Sequence, residues 1–142
     1  MMTKDFLLRL TEEHYGAGAF PVYGRLLEEQ RLTRGGPLLP MWHCTAALRR
    51  AFGEDSVLVL GCTNDSLLAH LLGATPVNPL PPHYHCPSCH RLSFDAHADD
   101  GWDLPDLACP ECGSPMAADG HNLRSRSLIG ESVVSLQVPQ ER

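Results

Sequence analysis

Four cysteines in two close pairs, Cys86-Pro87-Ser88-Cys89 and Cys109-Pro110-Glu111-Cys112, constrain this chain more than any other feature. Nineteen residues separate the pairs. This is the C-x2-C…C-x2-C spacing of a structural zinc site. Two residues between thiolates let a tight turn aim both sulfurs at one ion, and two such turns complete a tetrahedron with Zn–S bonds of about 2.3 Å. A single redox pair needs only one C-x-x-C, and an iron–sulfur cluster can use the same ligands. Cys86, Cys89, Cys109 and Cys112 are the expected zinc ligands. Zinc has structural work to do there, because residues 83–121 hold few large apolar side chains (Tyr84, Leu92, Phe94, Trp102, Leu104, Leu107, Met116). Metal binding supplies roughly 10–16 kcal/mol in small finger peptides and offsets the ordering cost of such a stretch.

Five histidines, His83, His85, His90, His97 and His121, lie close by. A catalytic zinc keeps an open fourth position, so an open site requires His85 or His90 to displace a cysteine. A closed four-cysteine shell is the stronger expectation, with His83 and His121 bracing the knuckles as outer-shell groups do. Cys44 and Cys62 read as buried structural thiols. Cys62 follows a strand at a glycine turn, so Gly61, Cys62 and Ser66 are a candidate pocket with Cys62 as a nucleophile.

Charge is unevenly distributed. Residues 1–80 carry seven basic and eight acidic side chains, whereas residues 81–142 carry four basic and nine acidic. With four thiolates on one divalent ion, residues 83–121 carry about −8. An acidic half repels phosphate backbones, because nucleic-acid affinity is built from Lys and Arg displacing counterions. Protein contacts, to a partner or a second copy, are expected instead of nucleic acid. No segment approaches the ~18 apolar residues of a membrane span, and Met1–Leu10 lacks a cleavage signal, which makes the cytoplasm the expected location.

The rest of the chain predicts an α+β fold. Thr3 caps a helix whose stripe is Phe6, Leu7, Leu10 and His14, ended by Gly16 and Gly18. A second helix runs from Pro21 to about residue 31, closed by Gly35-Gly36-Pro37, and a third from Met41 to Phe52 through Leu48. Ser56 to Leu60 is a buried strand. A helix capped by Thr63, Asn64 or Ser66 follows, up to Gly73. Pro76, Pro79, Pro81 and Pro82 stiffen an extended lead-in to the cysteines. Residues 132–138 alternate as an edge strand stopped by Pro139. The expected organisation is a helix-rich module over 1–75, a zinc-binding module over 76–130 and a strand with tail over 131–142.

Val77-Asn78-Pro79-Leu80-Pro81-Pro82-His83-Tyr84, followed by Cys86-Pro87-x-Cys89, closely resembles PolC-type DNA polymerase III. The likeness continues through Trp102-Asp103-Leu104-Pro105-Asp106, where that family usually has Phe-Asp-Leu-Pro-Asp. Cys109-Pro110-x-Cys112-Gly113, Asp119-Gly120-His121 and a weaker Leu128-Ile129-Gly130 complete it. The resemblance implies a zinc-binding part of a catalytic region, with the four cysteines inheriting the ligand role. Upstream, the family's Ser-Arg-Gly-Ser-x-Gly-Ser-Ser turn, which helps hold the incoming triphosphate, is replaced by Leu60-Gly61-Cys62-Thr63-Asn64-Asp65-Ser66. A phosphate cradle needs bare amides and cations, and Asp65 opposes it. Downstream, the family's Pro-Asp-x-Asp-Leu-Asn-Phe element is replaced by Glu131-Ser132-Val133-Val134-Ser135-Leu136-Gln137-Val138. Two-metal phosphoryl transfer needs paired carboxylates, so polymerase activity is not expected. The expected function is a small non-catalytic zinc-binding protein. The alternatives are a recruited small-molecule enzyme using a pocket near Gly61–Ser66, and an accessory replication or DNA-binding factor.

Overall fold

A computed structural model describes residues 3–33, 38–53, 57–94, 98–123 and 132–136. The expected Gly35-Gly36-Pro37 closure, Ser56, His97, the Leu128-Ile129-Gly130 echo and residues 137–139 lie outside the described residues.

Helix α1 spans Lys4–Tyr15. Thr3 caps it by accepting the Phe6 amide at 3.1 Å, and Gly16 at φ 83° closes it with its N–H on the Glu12 carbonyl. The buried face is Leu7, Leu10, Thr11 and Tyr15, spaced i, i+3, i+4 and i+8. This corrects the expected stripe: His14 faces solvent and Tyr15 is the deep residue, its hydroxyl engaged by the distant His83 and Asn78 side chains.

Helix α2 is Phe20–Thr33 and buries Val22, Leu26 and Glu29. Helix α3 is Leu38–Phe52 and starts ahead of Pro40, which is tolerated in a first turn where no intrahelical N–H is needed. Its buried face is Trp42, Thr45, Ala46 and Arg49, while Leu48 is half-buried and Phe52 is 52% exposed. On that same phase Cys44 faces solvent, which corrects its expected burial.

Strand β1, Val57–Gly61, pairs antiparallel with β5, Ser132–Leu136, in a register running from Val57 opposite Leu136 to Gly61 opposite Ser132. A 3₁₀ turn, Cys62–Asp65, leads into α4, Leu67–Leu72. Of the three candidate caps, Ser66 is the one used: its hydroxyl accepts the Ala69 amide at 3.0 Å. Gly73 at φ 89° ends α4 in the left-handed conformation, with Ala74 N–H on the Ala69 carbonyl.

The proline-rich lead-in then behaves as a ladder of acceptors. Asn78, Pro79 and Leu80 offer carbonyls to the amides of His121, Leu123 and Asn122 at 2.8, 2.8 and 2.9 Å. Proline supplies no N–H, so this segment borrows donors from the returning chain. A three-stranded antiparallel sheet follows in the order β3–β2–β4, with β2 at His83–His85, β3 at Leu92–Ser93 and β4 at Ala117–Asp119. A second 3₁₀ turn, Gly101–Asp103, is capped by Asp100. Here the backbone crosses itself closely: Gly101 N–H meets the Gly120 carbonyl at 2.6 Å, and a Cβ at residue 101 would sit 2.1 Å from the Asp119 backbone.

The core joins α1, α2, α3 and α4 through Leu7, Leu26, Trp42, Leu67 and Leu68. Each fully buried side chain of this kind contributes about 1.5–3 kcal/mol. Leu80 belongs to the same cluster, and Leu92 and Phe94 pack against it, so the apolar contacts run past residue 75 into the sheet. The architecture is α+β with a zinc-ribbon-like module of short strands. Among the described residues, no helix is long and apolar enough to cross a membrane.

Candidate metal centre

Both cysteine pairs lie in knuckles of one design. Cys86 N–H bonds the Arg91 carbonyl and His90 N–H bonds the Cys86 carbonyl, at 2.8 and 2.9 Å. Twenty-three residues later, Cys109 N–H bonds the Ser114 carbonyl and Gly113 N–H bonds the Cys109 carbonyl, both at 2.8 Å. In each knuckle the residue after the second cysteine takes a left-handed conformation: His90 at φ 65° and Gly113 at φ 76°. Gly113 does so freely, whereas a Cβ-bearing residue pays strain there. His90 is held in place by α1, since its Cβ and Cγ fill the space where a side chain at Gly16 would begin, 2.6 Å from that point.

These turns bring the four sulfurs together. Cys86 Sγ lies 3.4 Å from Cys112 Sγ, and Cys89 Sγ 3.4 Å from Cys109 Sγ. All four ligand atoms fall within 4.8 Å of one another. Four Zn–S bonds of about 2.3 Å at tetrahedral angles place sulfurs about 3.8 Å apart, so the cluster has the size of a metal shell. Cys86 and Cys109 are buried while Cys89 and Cys112 reach the surface. Proton affinities diverge across the cluster. The Ser114 hydroxyl and amide bring Cys112 down to about 6, and the Cys112 amide chiefly lowers Cys109. Cys89 is driven up to about 12: the Arg91 amide, its largest single influence, lowers it, but the neighbouring sulfurs and burial together outweigh that. Four thiolates this close need a cation between them. The donor set fits a metal ion, and among the described residues no histidine belongs to it.

His83 and His121 each have hydrogen-bond partners near the knuckles. His83 Nδ1 donates to the Pro81 carbonyl at 2.8 Å, and its Nε2 accepts from the Tyr15 hydroxyl at 3.2 Å. Burial holds this ring below the usual histidine range and pushes Tyr15 up to about 12. His121 Nδ1 sits 2.7 Å from Asp100 Oδ2, and its ring meets Trp102 edge-on at 4.9 Å. The Trp102 amide, and then His121, hold Asp100 below the usual carboxylate range. Tyr84, adjacent to the first knuckle, donates its hydroxyl to the Pro105 carbonyl and so ties down the Asp-Leu-Pro-Asp loop.

The candidate pocket at Gly61, Cys62 and Ser66 separates into unlike parts. Ser66 is fully buried, and its hydroxyl donates to Glu29 Oε1 at 2.7 Å. The Cys62 side chain lies outside the described residues. Sequence reasoning missed Glu29, which takes the position above α4 that an anion would need: its oxygens accept the Leu67 and Leu68 amides at 2.8 and 3.1 Å. Arg25 pairs with it at 2.8 Å and also donates to the Asp65 and Leu123 carbonyls. Burial pushes the Glu29 carboxyl up, against the lowering by Arg25 and the hydrogen bonds. The Arg25-x3-Glu29 spacing on a predicted helix was the available signal.

The chain is similar to one segment of several known proteins. The chain is 37% identical over 113 residues, 77% of its length, to the PolC-type DNA polymerase III of Latilactobacillus sakei. It is 46% identical over 81 residues to that of Bacillus subtilis, and 47% identical over 72 residues to that of Thermotoga petrophila, covering 54% and 49% of the chain. The chain spans only 5–8% of the length of these relatives. No family model matches it.

Proposed function

We propose, from the premise that this chain is a relative of one segment of PolC-type DNA polymerase III, that it is a zinc-binding module working through protein contacts. The observation that carries the reading is the convergence of four sulfurs within 4.8 Å from two knuckles of matching hydrogen-bond pattern. Cys86, Cys89, Cys109 and Cys112 hold one zinc ion in a closed shell, which favours a scaffolding role over a reacting one. No paired Asp-x-Asp carboxylates are present in this sequence to hold two catalytic magnesium ions, so the chain itself performs no phosphoryl transfer. Its expected location is a reducing cytoplasm, where such thiols stay available to metal.

The expected partner is a protein surface or a second copy, because the acidic knuckle region carries Arg91 as its one cation over residues 83–121, already paired with Glu111 at 2.9 Å. Metal analysis of the purified chain tests the reading directly. One zinc per chain, lost in Cys109→Ser, is the expected result. Steady turnover of a nucleotide or DNA substrate that depends on a zinc ligand overturns it. Retention of DNA in a low-salt gel shift counts equally against the protein-contact role.

A further inference from the structure

The second knuckle carries an apolar hollow on its outer side. Ala108 bridges Pro115 in antiparallel fashion. The Met116 N–H bonds the Leu107 carbonyl at 2.9 Å, and the Cys109 N–H bonds the Ser114 carbonyl at 2.8 Å. Residues 107–116 thus form a short hairpin whose turn holds Cys109 and Cys112. Beside it lies a hollow of about 420 Å³ lined by Asp106, Leu107, Ala108, Gly113, Pro115 and Met116. Leu107 is 47% exposed, and a side chain at Gly113 would meet nothing within 4 Å, so the hollow is open to solvent. A lone exposed leucine needs no explanation. Here it joins Ala108, Pro115 and Met116 in one concave patch, and contiguous apolar patches mark interaction sites.

Charge decides what fits there. Among the described residues Asp106 has no ion-pair or hydrogen-bond partner. With four thiolates on one divalent ion, the surrounding residues 83–121 carry about −8, and their one cation, Arg91, is paired with Glu111 at 2.9 Å. A second copy brings the same acidic surface and a net charge of −6, and nucleic acid brings phosphates. Both are repelled. The complementary occupant offers apolar side chains to the hollow and Lys or Arg beside them.

We infer, on the premise that the chain binds zinc as read above, that this hollow docks a segment of another protein in which one or two apolar side chains are flanked by basic residues. Apolar contact at the centre supplies affinity, while the acidic surroundings supply orientation and fast encounter. Two of the metal-binding sulfurs sit in the turn of the hairpin, so the docking surface depends on the ion.

The test uses the full zinc-loaded chain and three fluorescein-labelled peptides: Lys-Lys-Leu-Leu-Lys-Lys, Lys-Lys-Ser-Ser-Lys-Lys and Glu-Glu-Leu-Leu-Glu-Glu. Anisotropy reports binding, the Met116 methyl resonance locates it, and zinc per chain is measured on the same samples. The first peptide is expected to bind saturably and to shift the Met116 methyl in step. The serine peptide is expected to bind at least about tenfold more weakly, and the glutamate peptide not at all. Leu107→Ser is expected to weaken the first peptide about five- to tenfold, and Asp106→Asn about two- to fivefold, with zinc content unchanged. Equal binding of the serine peptide, an unmoved Met116 methyl, or unchanged binding in Leu107→Ser overturns the inference. A dimer in sedimentation that Leu107→Ser dissolves assigns the hollow to a second copy and overturns it too. So does a tenfold gain in affinity in the double variant Arg124→Gln, Arg126→Gln, which assigns the hollow to the chain's own basic stretch. If the chain holds one zinc and the first peptide stays unbound, only the docking inference falls; if the purified chain takes up no zinc, the zinc-binding reading falls with it.

Discussion

Replacing Glu29 by glutamine separates shape from chemistry at the best-connected buried charge of the helical part. The change keeps volume, yet both carboxylate oxygens face donors: Oε1 meets the Ser66 hydroxyl and Leu68 amide, Oε2 meets Arg25 Nε and the Leu67 amide. However the new amide turns, its NH2 points at a backbone N–H. At least one buried backbone donor loses its acceptor, and Arg25 loses its counter-charge. At about 1–3 kcal/mol for an unsatisfied buried group, with a similar loss at the ion pair, Glu29→Gln is expected to cost roughly 2–5 kcal/mol. One effect works the other way. Burial pushes the Glu29 carboxyl up, so removing the charge relieves a desolvation cost, but breaking one side of a buried pair is the larger loss. Urea unfolding of the metal-loaded protein, followed by fluorescence of the buried Trp42, measures the difference; Trp102, 75% exposed, changes little. For a chain of this size each kcal/mol lowers Tm by roughly 2–4 °C, which predicts a fall of about 4–20 °C. Unchanged or raised stability in Glu29→Gln would falsify the account, by showing that desolvation dominates. Unchanged metal content is the control that the damage stays near α4.

Three further outcomes follow from other parts of the molecule. Gly101→Ala is expected to destabilise by more than about 3 kcal/mol or to prevent folding, because its Cβ would lie 2.1 Å from the Asp119 backbone, and a main-chain atom cannot swing aside as a side chain can; near-normal stability refutes that crossing. Burial holds His70 and His83 below the usual histidine range, so the unfolded chain takes up protons first as pH falls through about 6.5. Stability should therefore drop between pH 7.5 and 5.5 in urea titrations, with a shallower slope in His70→Gln, and a flat profile contradicts it. Chelation is expected to unfold residues 83–121 while α1–α4 partly persist, read as amide-exchange protection; full protection of that region in metal-free protein excludes a structural ion.

Short-range chemistry made much of this structure legible in advance. The Thr3 cap, the strand before Gly61, the Ser66-capped helix ending at Gly73 and the cysteine pairs all depend on a few neighbouring residues, and all appear where local rules put them. What stayed hidden depends on partners distant in sequence. The phase of α1 is decided by Tyr15, whose hydroxyl meets His83 and Asn78 more than sixty residues away. Cys44 and Phe52 face outward because Trp42 and Arg49 claim the inner side of α3, with Arg49 donating to the Gly73 carbonyl at 2.7 Å. Glu29 looked like one more solvated acid on a charged helix. Its role emerges only when α4 arrives with unsatisfied amides. The individual partners of His83 and His121 were hidden for the same reason: proximity to a cysteine in sequence says nothing about which carbonyl or carboxylate a ring will find.

The two knuckles match in backbone, but they are not equally anchored. His90 is wedged against the end of α1 at Gly16, whereas around Gly113 a side chain would meet nothing within 4 Å. Loosening the first knuckle means dislodging a helix terminus; loosening the second breaks only the surface Arg91–Glu111 pair and its own loop. Any ion seated among the sulfurs therefore has a hinged side and a fixed side, and its exchange with competing thiols should start at Cys109 and Cys112.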